Sequence, residues 1–387
     1  MTNLITKYLN RLAWIRSGLF ALTITICQFA VAAPTISKPV SLPDNLFTLE
    51  KVSSRHQSIW SLAFISENTI VYTERTGRIG TLNIQTGKWN YLTFRPRIEV
   101  IGQGGLLDVK PSPDFNNDRH LYFTYSKPTS SGPATTLSRA VFKNNQLQQW
   151  EDLLITRSAS NSGQHFGSRI AFDKQGHIFF SVGDRGKREN AQDLTNHAGS
   201  IIRLHLDGRI PQDNPFNSIK GAAPGIWSYG HRNPQGLAYD DTTGQLWAIE
   251  HGPRGGDEIN LIKRGGNYGW PIASHGREYW APLAVGESTS VPGMIDPVQV
   301  YIPSIAPSSL LLYKGRKFEK FNNRLVAGAL KLQHLNLIEL NEDQQAIGEW
   351  RILESLQQRV RALTQGPDDL IYFATDSGNI YRLRSTQ

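Results

Sequence analysis

The sequence predicts an all-β chain wound into a six-bladed β-propeller, and three observations carry the prediction. Short β-rich runs closed by a turn signal recur along it: NTIVYTERTG at 68, RHLYFTYS at 119, GHIFFSVGDRG at 176, GQLWAIEHGP at 244, NRLVAGAL at 323 and DLIYFATDSG at 369. Equivalent apolar positions in these runs (70, 121, 178, 246, 325 and 371) are separated by 51, 57, 68, 79 and 46 residues, each step long enough for a four-stranded blade and its loops. No long segment carries apolar residues at helical spacing. Six like units with variable insertions point to radial repetition rather than to a sandwich.

The elements follow in order. Lys7, Arg11 and Arg16 precede the apolar run SGLFALTITICQFAVAA, which ends in small residues. A basic start, a short hydrophobic middle and an Ala-x-Ala site are the order of a secretory signal, so residues 1–32 are expected to be a cleaved leader and 33–387 a single propeller domain. The run is short for a bilayer span of about 20 apolar residues, so no stable membrane insertion is expected after cleavage. The one cysteine, Cys27, lies inside that leader, which leaves the mature chain without thiol chemistry. Its stability then rests on the core, which a domain of about 355 residues can supply. Before the first blade, FTLEKV (47–52) is placed to pair with NIYRLR (379–384) of the last and close the ring.

The formal charge is +8, of which the leader carries three, leaving +5. The basic residues are scattered, with no run that would track a phosphate backbone, so a nucleic-acid partner is not expected. A few arginines focused on an anionic small molecule fit better.

In a propeller the loops of every blade converge at one end of the channel, so the polar motifs beside the strands are the candidate site. In GQGGLLDV (102–109) Gln103 sits among glycines, where backbone approaches a ligand closely. In SGQHFGSRIAF (162–172) His165 stands at the entrance to a strand, and imidazole suits proton transfer near neutral pH. Asp184 of SVGDRG either orients such a base or caps a turn. In GHRNPQGLA (230–238) Arg232 and Asn233 precede a proline that imposes extended geometry, and guanidinium plus amide suits carboxylate and carbonyl oxygens. EHGPRGGDEIN (250–260) allows main-chain oxygens to face a cation, because hard Ca²⁺ takes six to eight oxygens, often from carbonyls. ALKLQ offers Lys331, and alternation puts Arg359 and Arg361 of QRVRAL on one strand face, where the two arginines could clamp one anion together.

Together GQGGLLDV…PDF, HFGSRIAF…GDRG, GHRNPQGLA, EHGPRGGDEIN, GGNYGWP and PSIAPSS occur in the order found in soluble PQQ-dependent aldose sugar dehydrogenases, and the chain resembles that family from about Leu46 to Arg384. The resemblance implies a six-bladed propeller holding pyrroloquinoline quinone (PQQ) and Ca²⁺ at one end of the channel. It implies His165 as the base that takes the anomeric hydroxyl proton, and Arg232 beside the quinone with Asn233 as its amide partner. Gln103 and Ser304 are implied as cofactor or sugar contacts. Gly252 and Pro253 carbonyls are implied as calcium ligands, and Lys331, Arg359 and Arg361 as cationic contacts to the cofactor's carboxylates. A second, structural Ca²⁺ on the Glu258 and Tyr268 carbonyls is also implied. An aldose is then the substrate, an unnamed external acceptor takes the electrons, and the location is periplasmic or secreted.

Two positions depart from the family: Ser200 replaces a common lysine, and Ile302 lies where some relatives place a tryptophan. Both bear on sugar preference. Competing readings are a Ca²⁺-dependent lactonase or esterase on a propeller, and a sugar- or protein-binding propeller without catalysis.

Overall fold

The inner strands of six antiparallel sheets ring a central channel, and the computed structural model describes this arrangement for residues 33–93 and 96–385. The expected leader, with Cys27, lies outside the described residues. Blade 1 is Ile59–Ser66, Thr69–Glu74, Arg78–Asn83 and Trp89–Tyr91, from the channel outwards. Blade 2 is Leu106–Pro111, His120–Lys127, Ala134–Lys143 and Gln146–Ile155. Blade 3 is Ile170–Phe172, His177–Val182, Ser200–His205 and Ile226–Tyr229. Blade 4 is Pro234–Asp240, Gln245–Glu250, Asp257–Ile262 and Gln299–Tyr301. Blade 5 is Pro307–Tyr313, Arg324–Ala329, Leu335–Leu340 and Ala346–Ile352. Blade 6 is Val360–Gln365, Ile371–Thr375 and Ile380–Ser385, completed by Phe47–Ser53.

All six recurrent runs turn out to be the second strand of their blade. That strand has partners along both edges and neighbouring blades against both faces, so it reads as continuous apolar sequence rather than as an alternating pattern. Ile371–Thr375 is buried at all five positions. The core lies between blades: Trp247 and Ile249 of blade 4 pack on Ile305, Leu325 and Ala327 at blade 5. The two longest intervals in the sequence hold the insertions, 206–225 in blade 3 and 263–298 in blade 4. The second climbs back to the opposite end of its blade, where Arg277 pairs with Arg254.

Ring closure is as the sequence suggested. Phe47–Ser53 runs antiparallel to Ile380–Ser385, with Leu49 opposite Leu383 and Thr48 opposite Arg384. Arg382 grips the Glu50 carboxylate with Nη2 at 2.7 and 2.6 Å. Before it, Thr35–Ile36 and Val40–Ser41 lie parallel on the outermost strands of blades 4 and 5, covering edges that would otherwise present unpaired N–H and C=O groups.

Neighbouring strands in a blade alternate in direction. The segments that enter each inner strand and the loops that join second to third strands therefore emerge at the same end. Every candidate residue from Gln103 to Arg361 sits on or beside such a segment except Glu258, inside the third strand of blade 4, and Tyr268, in its insertion.

Candidate functional site

A chain of contacts runs round that mouth through all six blades. Arg75 of blade 1 donates to the Gly102 carbonyl at 2.6 Å, and the Gln103 Oε1 accepts the His165 N–H at 2.9 Å. Asp184 N–H donates to the Arg232 carbonyl at 2.9 Å, and His251 N–H to the Asn233 carbonyl at 3.2 Å. The Ser304 hydroxyl accepts the Gly255 N–H at 3.1 Å, and Lys331 N–H reaches the Ile305 carbonyl at 3.0 Å. Arg359 Nη1 donates to the Leu330 carbonyl at 3.2 Å, and Ser58 of blade 1 donates to Asp376 at 3.3 Å. Residues 165, 252, 359 and 361 thus share one end of the ring.

His165 is buried to 8 % exposure and takes a left-handed backbone (φ 53°), a conformation costly for a residue with a Cβ and found where surroundings enforce it. Its Nδ1 lies 2.6 Å from Asp184 Oδ1. That carboxylate also accepts the Gly186 N–H at 2.7 Å and, on Oδ2, the Trp270 indole N–H at 2.8 Å. Burial pushes the Asp184 carboxyl up, but the His165 bond and charge, the Gly186 N–H and the Arg232 charge outweigh it and hold it below its ordinary range. Burial lowers the His165 pKa below 6.5; the Asp184 bond opposes this and the Arg232 charge adds to it. The ring is therefore neutral near pH 7, with Nδ1–H given to Asp184 and Nε2 left as a proton acceptor. Asp184 thus holds the His165 imidazole and at the same time bonds the N–H of its own turn at Gly186.

Arg232 is 8 % exposed with no carboxylate in ion-pair range among the described residues. One Nη donates to the His251 carbonyl at 3.2 Å, Nε finds no acceptor, and the guanidinium lies 5.3 Å from the Trp270 ring centroid. Its backbone is fixed by Glu250, whose Oε2 accepts the N–H groups of Arg232 at 2.7 Å and Asn233 at 3.3 Å. The Asn233 Oδ1 faces blade 3, accepting the Gly167 N–H at 3.1 Å.

The 252–256 loop is drawn tight. A Cβ on Gly252 would sit 2.0 Å from the Gly256 carbonyl oxygen, so only glycine fits. Asp257 ties the loop to blade 5 by accepting the N–H groups of Gly252 at 2.9 Å and Ala306 at 2.8 Å. Burial pushes its carboxyl up to about 6. No main-chain N–H of the described residues donates to the Gly252 or Pro253 carbonyls; Ser304 lies 3.4 Å from the latter. Gly252, Pro253, Glu258 and Tyr268 all border one cavity of about 10 Å³, the room of a single water-sized centre. The two cation positions implied separately thus adjoin one space. Glu258 lies in a strand between Glu250 and Val300, so the ladder engages its backbone. Burial and the Glu250 charge raise its carboxyl well above the ordinary range. No group of three or more His, Cys, Asp or Glu side chains is placed to hold a metal among the described residues. Glu250 borders the same cavity as Gly252, Pro253 and Glu258.

The late arginines do share an anion, but it is internal. Arg359 Nε, Arg361 Nε and Arg361 Nη2 meet the Asp376 carboxylate at 2.8, 2.8 and 2.9 Å. In the sequence Asp376 is part of a turn signal and Trp270 part of a glycine-rich loop; the arginines that meet Asp376 lie on the neighbouring strand of its own blade, whereas Trp270 reaches Asp184 across 86 positions. Lys331 is exposed at the rim without an ion-pair partner among the described residues. Of the two departures, Ser200 is buried in the third strand of blade 3, opposite Val182 and Tyr229. Ile302 is 51 % exposed near Gly255, an aliphatic lip.

At one mouth of the six blades the His165 imidazole is held by the Asp184 carboxylate, and the buried Arg232 guanidinium has no ion-pair partner among the described residues. Residues 56–382 match the Glucose / Sorbosone dehydrogenase family, and the chain belongs to it. It is 37 % identical over 327 residues to the aldose sugar dehydrogenase YliI of Escherichia coli (strain K12), covering 83 % of this chain and 87 % of that protein. The apo-form crystal structure of the soluble aldose sugar dehydrogenase from Escherichia coli superposes with a TM-score of 0.84 at 33 % identity, covering 88 % of this chain and 99 % of the other. The PQQ-bound form of an aldose sugar dehydrogenase from Streptomyces coelicolor gives 0.73 at 26 % identity, with 90 % and 99 % covered.

Proposed function

We propose that this PQQ-type aldose sugar dehydrogenase is an exported enzyme that oxidises the C1 hydroxyl of aldoses to the lactone, with Ca²⁺ beside the cofactor. The observation that carries the reading is the His165–Asp184 pair, 2.6 Å apart, at the same mouth as Arg232 and the Gly252–Pro253 carbonyls.

The residues present suit both guests. Arg232 is a buried cation whose Nε lacks an acceptor, and an anionic, oxygen-rich guest satisfies it. The Gly252 and Pro253 carbonyls, with the adjoining cavity, are the donor chemistry of a hard cation. Lys331, Arg359 and Arg361 supply positive charge at the rim, partly offset by Asp376. When bound, PQQ supplies two-electron oxidising power and Ca²⁺ a Lewis acid.

The protein's own work is positioning and proton transfer. His165 Nε2 would take the proton of the C1 hydroxyl while the C1 hydrogen leaves with its electron pair, which the oxidising power of bound PQQ would accept, and Asp184 keeps Nδ1 protonated. The Asn233 amide and Gln103 hold oxygens of the guests within reach, and Ile302 forms an aliphatic edge to the sugar pocket. The electrons leave to an external acceptor.

Hydrolysis by a calcium-centred lactonase is the weaker reading, because that chemistry gathers several carboxylates round its ion and none of the described residues form such a group. A non-catalytic binding propeller leaves the oriented His165 without a purpose. The test is sugar-dependent dye reduction by apoprotein reconstituted with PQQ and Ca²⁺, with a lactone product. A rate no higher than that of apoprotein removes the assignment, and lactone hydrolysis with Ca²⁺ alone replaces it.

A further inference from the structure

We infer that Arg185 is a positioning residue for the proposed base: its buried guanidinium serves as the hydrogen-bonding centre of the irregular segment 158–166 and so sets where His165 stands. The inference rests on the role proposed for His165 and concerns a residue that touches neither sugar nor cofactor.

The segment between the outermost strand of blade 2 and the innermost strand of blade 3 has no ladder of its own, so its carbonyls need partners from elsewhere. Arg185 supplies them. Its Nε donates to the Ser158 carbonyl at 3.2 Å. One Nη donates to the Gln164 carbonyl, and the other to Ser162 at 3.0 Å, Pro133 at 3.3 Å and Ser160 at 3.4 Å. Four of these carbonyls belong to alternate residues of a single loop, 158, 160, 162 and 164, so the chain curls round one planar fork of donors. The guanidinium is 1 % exposed and lies 3.4 Å from the centroid of the Phe166 ring. A face-on cation stabilises such a stack and fixes the residue that follows His165.

No carboxylate forms a salt bridge with Arg185 among the described residues. A buried arginine spent wholly on main-chain carbonyls is an expensive way to fill a core, since burial pushes its pKa down to about 10. What the arrangement does achieve is registration. The Gln164 carbonyl adjoins the His165 N–H across one peptide, and that N–H is held by Gln103 from the other side. Asp184, the residue before Arg185, holds the imidazole. Arg185 (φ 59°) and His165 (φ 53°) both sit in the left-handed region, so the turn and the loop are locked against each other in conformations neither would keep alone. The approach is close: a Cβ on Gly186 would meet the Ser162 hydroxyl at 2.6 Å.

Lysine cannot reproduce the fork, because three donors on one nitrogen do not span five carbonyls. Arg185→Lys is expected to lower kcat by about 100-fold with the sugar KM little changed, the cost of a base displaced by about an ångström. In apoprotein, hydrogen exchange should quicken at 158–166 while the six inner strands keep their protection, and the downfield Nδ1 proton of His165 bonded to Asp184 should weaken or vanish. In Arg185→Ala, guanidinium at tens of millimolar should restore slow loop exchange and part of kcat, whereas urea at equal concentration should not. Parental kcat and loop exchange in Arg185→Lys overturn the inference. So does a uniform loss of protection in all blades without rescue, which marks a merely structural role. The exchange and proton-resonance arms use apoprotein, so they decide Arg185 even if the parent enzyme fails to oxidise sugars.

Discussion

Replacing Arg169 by methionine should destabilise the propeller by about 3–5 kcal/mol, the range for removing one member of a buried ion pair. The guanidinium sits on the channel axis and touches every other inner strand. Nε donates to the Gln235 carbonyl of blade 4 at 2.8 Å, and Nη1 meets Asp108 of blade 2 at 3.3 Å. Nη2 donates to Ser308 of blade 5 at 2.6 Å, Arg361 of blade 6 at 2.9 Å and Trp60 of blade 1 at 3.3 Å. It also lies 3.9 Å from the Trp60 ring centroid. Methionine keeps much of the volume but strands the buried Asp108 carboxylate, leaving it with the Ser61 hydroxyl at 2.5 Å and the Ile170 and Val109 N–H groups at 2.8 and 3.1 Å. It also strips a donor from four carbonyls, each worth about 1–3 kcal/mol if water does not replace it. The assay is equilibrium urea unfolding followed by tryptophan fluorescence on single and double variants. Asp108→Asn in the Arg169→Met background should recover at least about 1 kcal/mol, the signature of direct coupling. A loss below about 1 kcal/mol in Arg169→Met, or strictly additive variants, would refute the reasoning that this guanidinium binds the blades together.

Other expectations follow from the site and its titrating groups. Asp184→Asn turns an amide nitrogen toward either the Trp270 indole N–H or the His165 and Gly186 donors, and should cut the sugar-oxidation kcat by about 10²–10⁴, the share a positioned base contributes, in steady-state dye reduction. Because burial lowers the His165 pKa, the rising limb of kcat/KM with pH should have its midpoint below pH 6.5; a midpoint at or above 6.5 contradicts the environment described. His197 and His334 are each pushed down to about 4 by burial and titrate near 6.5 when unfolded. The unfolded chain therefore binds more protons between those values, and the stability these residues contribute is present above pH 6.5 and lost on acidification at up to about 1.4 kcal/mol per pH unit each. Urea midpoints that stay flat from pH 7 to 4.5 would contradict this. Gly252→Ala drives a Cβ into the Gly256 carbonyl, so the loop must open, and calorimetry should show calcium affinity falling well below that of the parent.

Much of the fold was legible because its strongest signal is local. A second strand buried on both faces must be apolar throughout, so six such strands announce themselves whatever their partners, and the longest intervals between them hold the insertions at 206–225 and 263–298. Closure by Phe47–Ser53 was legible from position. In the site, His165, Arg232 and Gly252 stood out because imidazole, guanidinium and crowded glycine carry chemistry in any context. Their partners did not stand out. Trp270 reaches Asp184 only because the blade 4 insertion doubles back to the mouth, and Asp376 looked like a turn residue until two arginines closed on it.

By itself the sequence determined the number of units, the strand that recurs in each, and which loops carry the candidate site residues, since these depend on residue type and spacing over a few positions. The tertiary structure alone decided how charge and hydrogen bonds are shared: Arg169 joins the blades across the axis, Arg185 gathers the loop beneath His165, and Asp376 takes the anion position between Arg359 and Arg361. A hydrogen bond needs its partner within about 3 Å at the right angle, and that condition is met only after the strands that carry the partners have paired and the blades have packed.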